Sequence, residues 1–140
     1  MIRFSAIVAI VFGLVLAVGE VMRNWGDWQW WPFWLVDYIA AVLLIFGGQR
    51  ALNTGTVRWL TGAWGWTAAM FWMSFFSHLE QLNSKANNHT GPMDERQLTI
   101  IIGIMFVVAL VGFLLALLGC LLYTSPSPRD ATLSRMPSSA

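Results

Sequence analysis

Long apolar runs separated by polar breaks set the pattern of this chain. Phe4 to Met22 holds one charge, Glu20, near its end, and Pro32 to Gly48 holds Asp37. Val57 to Leu79 mixes aromatic and small residues and ends beside His78, and Leu98 to Gly119 holds no charge. Each run is 17 to 23 residues long, the length a helix needs to cross a roughly 30 Å hydrocarbon layer. Lipid offers no partner to a free backbone N–H or C=O, so segments of this kind are helices rather than open strands. The pattern predicts an all-α integral membrane bundle of four transmembrane helices at about 4–22, 32–48, 57–79 and 98–119. Residues 1–119 form one domain. The breaks are a short polar connection over 49–56 and a longer one over 80–97, with the last helix starting near Pro92 and Asp94 and Glu95 favourable in its first turn.

The small residues within the runs predict which faces meet. Ala9, Gly13 and Ala17 are four apart in the first helix, and Glu20 follows on that face. Asp37 shares a face with Ala40, Ala41, Leu44 and Gly48 in the second. Gly62, Gly65 and Ala69 allow close approach in the third, where Thr67, Ser74, His78 and Gln81 make a broken polar stripe. Ala109, Gly112, Ala116 and Gly119 line one side of the fourth. Small residues at this spacing let membrane helices approach closely.

Composition agrees with the pattern. The chain is 57% hydrophobic and 11% charged, against about a quarter charged in an ordinary soluble domain. Five of nine tryptophans, Trp25, Trp28, Trp30, Trp31 and Trp34, crowd the first connection as an interfacial belt would, and Trp59 suits the opposite interface. Trp64, Trp66 and Trp72 are expected deeper, among Phe71, Phe75 and Phe76. Arg3, Arg50 and Arg58 fall on one side of the bundle and Arg23, Lys85 and Arg96 on the other. The 49–58 turn is short and has no acid, so the positive-inside rule places it and both termini in the cytoplasm. The alternative for the first run is a cleaved signal peptide ending at Ala17-Val18-Gly19; the other three helices keep their orientation in either case.

The last 21 residues, Cys120 to Ala140, are of a different kind. Cys120–Asp130 (CLLYTSPSPRD) matches the translation of a common transposase sequencing adapter, and Ser134–Ala140 (SRMPSSA) matches the constant region beyond it in the same frame. The expectation is a translated adapter with no function and no structure beyond about one more turn of helix, a natural Ser/Pro-rich tail being the alternative. Without it the chain has six basic and six acidic residues and no cysteine, hence no disulfide, thiolate or Cys metal site. A short-read origin favours a bacterial source, and the expected location is a bacterial inner membrane.

Candidate chemistry gathers at the non-cytoplasmic end, where Glu20, Arg23, Asp37, Tyr38, Ser74, His78 and Glu80 are predicted to form an outer-side polar cluster. Asp37 lies about 9 Å along its helix at 1.5 Å per residue. A carboxyl group at that depth faces the bundle and finds a partner, for which Arg23 or His78 is expected. The role is either a structural bridge or a functional site.

No catalytic, metal or cofactor site is predicted. His78 and Glu80, two apart, point about 200° from each other on a helix; His89 and Met93 have no diagnostic spacing, and haem lacks a second helical histidine. Phosphate-loop, H-E-x-x-H, G-x-S-x-G and C-x-x-C motifs are absent, and no basic patch calls for nucleic acid.

In size and helix number the chain resembles quinone-linked DoxX-type subunits and small multidrug exporters. It aligns with the motifs of neither, and Glu20 sits at a helix end rather than at mid-bilayer, so no family is assigned. The expected function is that of a small non-enzymatic membrane subunit or binding protein. The alternatives are a proton-coupled carrier using Asp37 and a quinone- or lipid-binding redox accessory subunit. Lipid is the expected partner, with a second copy or another membrane protein alongside it. Reporter fusions after Gly55 and Asn87 should read cytoplasmic and periplasmic respectively; the reverse pattern would overturn this topology.

Overall fold

The computed structural model describes residues 1–26, 30–83 and 94–124. They form four helices, α1 (Ile2–Arg23), α2 (Trp31–Thr54), α3 (Arg58–Asn83) and α4 (Glu95–Thr124), with no strand among the described residues. The all-α bundle expected from the pattern is the observed fold. Neighbours in sequence are neighbours in space, and α1 also packs on α4 to close the ring.

Local sequence accounts for the helix ends. α1 ends on Asn24, whose N–H donates to the Glu20 carbonyl, and Gly26 follows at φ +90°. Pro32 stands in the first turn of α2, where its missing N–H leaves no helical bond unmade. Gly55 ends that helix at φ +69°, donating its N–H to the Ala51 carbonyl, the left-handed conformation that glycine adopts without strain. The connection expected over 49–56 therefore shrinks to residues 55–57. Nothing in Gln49–Thr54 breaks a helix, and it is Gly55, not the polarity of the stretch, that stops it. At the other end of the chain α4 runs five residues past Gly119, to Thr124.

Helices α1, α2 and α4 are long and apolar enough to cross a membrane. The expectation of four such spans is met in length alone by α3, whose 26 residues interleave Arg58, Thr61, Thr67, Ser74, Ser77 and His78 with its aromatics. Several of these hydroxyls are absorbed within the helix. Thr61 and Thr67 donate to the carbonyls of Val57 and Ala63, at 3.2 and 2.8 Å, which removes a free donor from an apolar surround.

The packing has small residues inside and large apolar ones outside. Ala6, Ala9, Ala40, Ala109 and Ala116 are fully buried, whereas Phe4, Val11, Val18, Val42, Ile104, Val111 and Leu118 stand exposed. An apolar outer surface of this extent marks contact with a membrane. Between α1 and α2 the backbones nearly touch: a Cβ on Gly13 would lie 2.9 Å from the Ala41 carbonyl oxygen, and one on Gly48 would lie 2.7 Å from that of Ala6. On α3 the packing face is Leu60, Ala63, Trp64, Thr67, Ala68 and Phe71. Of the glycines and alanine expected there, Gly65 meets Phe113, but Gly62 and Ala69 face outward. The other correction is to the deep tryptophans: Trp64 is fully buried, while Trp66 and Trp72 are about half exposed.

Trp64 is the centre of the bundle. Its ring lies on Gly112 of α4, where a Cβ would come 2.5 Å from Cε2, and it meets the Phe12 ring edge-on at 5.5 Å. Its Nε1 donates to Ser5 Oγ at 3.1 Å, and Ser5 Oγ donates to the Gly112 carbonyl at 3.4 Å. One side chain thus joins α1, α3 and α4. Gly112→Ala should lower stability by about 1–3 kcal/mol, the usual effect of overpacking. Gly62→Ala, facing open space, should be neutral or raise stability by about 0.5–1 kcal/mol through helix propensity alone. Thermal unfolding of the detergent-solubilised protein measures both.

Candidate functional site

The chain direction brings the end of α1, the start of α2, the end of α3 and the start of α4 to one end of the bundle. The predicted polar cluster maps there as two separate pairings, one on α1–α2 and one on α3–α4.

On α1–α2, Glu20 occupies the buried face already opened by Gly13, and it is itself buried. Asn24, one turn on and fully buried, donates Nδ2 to the Glu20 carboxylate Oε1 at 2.6 Å and to its carbonyl at 2.9 Å. Asp37, half-buried on α2, faces this carboxyl group in hydrogen-bond contact, and the Arg23 guanidinium is near enough to attract it. Of the two partners expected for Asp37, Arg23 acts on it through space only, without an ion pair among the described residues; a second carboxyl group, Glu20, is the neighbour that sequence did not point to.

On α3–α4, His78 is not near Asp37 as a partner. Its Nδ1 pairs with Glu95 Oε1 at 2.5 Å, and Glu95 is buried. The reason is connectivity: α3 and α4 are an antiparallel hairpin, so the last turns of one lie beside the first turn of the other. Thr99 secures that turn, donating Oγ1 to the Glu95 carbonyl at 2.8 Å.

Glu80 is exposed, and Ser74 is half-buried. Tyr38 sits edge-on to Trp34 at 5.8 Å, one turn back along the same helix. Asn24 and Glu95 were missed as site residues, and both carry a readable signal. Asn24 is four residues after Glu20, on the same face; Glu95 is the first helical acid after a connection whose other end holds His78. Trp25 and Trp30 are strongly exposed, as interfacial anchors would be, whereas Trp28, His89 and Met93 lie outside the described residues.

Among the described residues, no three His, Cys, Asp or Glu side chains converge. A groove of about 250 Å³ opens between α3 and α4, lined by Gly65, Ala68, Trp72, Phe106, Leu110 and Phe113. These side chains offer packing to a hydrocarbon, and the Trp72 indole N–H is the one polar group among them. No protein family, curated protein or solved structure matches the chain.

His78 and Glu95 should behave as a coupled pair. His78→Ala and Glu95→Ala are each expected to lower stability by about 1–2 kcal/mol, the range of hydrogen bonds between membrane helices. The double variant should lose measurably less than the sum, as contacting residues do in a mutant cycle. Additive losses would show that the two side chains act independently.

Proposed function

We propose that the chain is a small multi-pass membrane protein acting as a non-enzymatic subunit or binding protein. One observation carries this reading: the buried polar groups pair with each other, at the end of α1 and across neighbouring helices. Glu20 is held by Asn24, Asp37 faces Glu20 with Arg23 beside it, and His78 is taken by Glu95. Pairs of this kind fix helix register and orientation, and the half-exposed apolar outer faces supply surface for lipid or a partner helix. The 250 Å³ groove, lined by apolar side chains, suits an acyl chain or a neighbouring helix rather than a polar substrate. The proposed location is the inner membrane of a bacterium, with the α2–α3 turn in the cytoplasm. Support for the side is the short α2–α3 turn flanked by Arg50 and Arg58 with no acid, the basic residues being three at each end, and support for the bacterial source is the adapter-like tail.

A second reading has one observation in its favour. Asp37 and Glu20 bring two carboxyl groups together across neighbouring helices. A membrane-embedded acid of that kind is the working part of proton-coupled carriers.

Asp37→Asn separates the two readings. Asn keeps the size and hydrogen-bonding capacity of Asp but cannot release a proton. The subunit reading expects a modest loss of stability, about 1 kcal/mol or less on the scale of single membrane hydrogen bonds, and the same proton permeability as wild type in reconstituted vesicles. Proton flux that is present in wild-type vesicles and lost in folded Asp37→Asn would establish the carrier instead.

A further inference from the structure

The end of the bundle opposite the carboxyl pair carries a built cationic surface that the proposed function does not use. At the α2–α3 turn, the Arg50 guanidinium lies 5.4 Å over the Phe46 ring, and the Arg58 guanidinium lies 5.8 Å over the Trp59 ring. The two rings meet edge-on at 5.7 Å. The result is a continuous row, Arg50–Phe46–Trp59–Arg58, that crosses from one helix to the next. Gly47 holds the helices close enough for this: a Cβ there would sit 3.0 Å from the Leu60 backbone. Phe46 and Trp59 are 39% and 49% exposed, so the row is on the outer surface and not in the core.

Charge and shape together select the occupant. Among the described residues every Asp and Glu belongs to the other end of the bundle, so Arg3, Arg50 and Arg58 give this end a cationic character. A guanidinium braced over a ring keeps its N–H donors free for an anion. Directly beneath the arginines the surface turns apolar. Val42 and Ile39 continue the face of Phe46 along α2, and Gly62 leaves an open notch between Trp59 and Trp66 on α3. A cationic ledge above an apolar track fits a molecule with an anionic head and a hydrocarbon tail.

We propose that the Arg50–Phe46–Trp59–Arg58 row binds the phosphate headgroup of an anionic phospholipid in the leaflet facing the α2–α3 turn, with an acyl chain lying along the Val42 and Gly62 surface. The two arginines, one on each helix, engage the headgroup, and Trp59 marks the depth of the interface. This rests on the reading that the bundle spans a bilayer. Recovery of the protein in lipid nanodiscs tests that reading separately, before any headgroup preference is measured.

The experiment is native mass spectrometry of the protein released from nanodiscs made of equal parts phosphatidylglycerol and phosphatidylcholine. Wild type should retain phosphatidylglycerol at collision energies that strip phosphatidylcholine. Each arginine near a charged surface contributes about fivefold to affinity, so Arg50→Gln and Arg58→Gln should each reduce the preference by about that factor, and the double variant by about 25-fold. Arg96→Gln, at the opposite end, should leave it unchanged. Arg50→Lys with Arg58→Lys keeps the charge and should retain part of the preference, which reads the site even where the double glutamine variant inserts poorly. Equal retention of the two lipids, a preference untouched in Arg50→Gln and Arg58→Gln, or displacement of the lipid by millimolar inorganic phosphate would each overturn the proposal, the last by showing a free-anion site.

Discussion

Close approach of helix backbones is the constraint on which this bundle depends. Within a bilayer, moving a leucine from lipid to a helix interface brings no hydrophobic gain, so association has to come from dispersion contacts and from polar groups that lipid cannot satisfy. Gly13 against the Ala41 carbonyl and Gly48 against the Ala6 carbonyl bring α1 and α2 into direct backbone contact. Gly112 does the same for α4 against a large side chain, since the Trp64 ring occupies the place where a Cβ would be. The alanines buried between these points keep the separation small along the length of each helix. Large side chains are displaced outward as a consequence, and the lipid-facing surface acquires its exposed phenylalanines, valines and leucines.

Polar residues then act at the points that close packing leaves open. Ser5 links the Trp64 indole to a backbone carbonyl on a third helix, so the most buried aromatic ring has a partner for its only donor. At the far end, Glu20 with Asn24 and Asp37 ties α1 to α2, and His78 with Glu95 ties α3 to α4. Each helical hairpin thus carries its own polar clasp near the end where its helices separate. A lone carboxyl group is unfavourable by about 2.5 kcal/mol or more at the bilayer centre and by less towards the interface, and hydrogen-bonded neighbours offset part of that penalty.

The two ends of the bundle differ in chemistry as well as in charge. One end has acids enclosed by neighbours together with a belt of tryptophans, of which Trp30 packs edge-on against Phe33 at 6.1 Å. The other has a three-residue turn, no acid among the described residues, and guanidinium groups laid over aromatic rings. The same residue classes, aromatic and charged, stand at both ends, and at the cationic end they are stacked into one row. That difference follows from the turn. Gly55 turns the chain so tightly that Phe46 and Trp59 come opposite each other, whereas the connection from α1 to α2 is longer.

Sequence alone determined the helices, their number and order, and the faces of α1, α2 and α4. Those properties depend on hydropathy and on the spacing of small residues, both of which are local: Ala109, Gly112, Ala116 and Gly119 are all buried, as their spacing predicts. The face of α3 was not legible in the same way. Its small residues are spread around the helix, and only the fit of Trp64 onto Gly112 decides that Ala63, Thr67 and Phe71 turn inward while Gly62 and Ala69 turn out. The polar residues at the far end were legible as a group but not as pairs. Depth along a helix can be counted from sequence, and it brought Asp37 and His78 to the same level. Which neighbour each one meets depends on lateral position in the ring of helices. Asp37 sits on the α1–α2 seam and His78 on the α3–α4 seam, and that assignment exists only once the helices are packed.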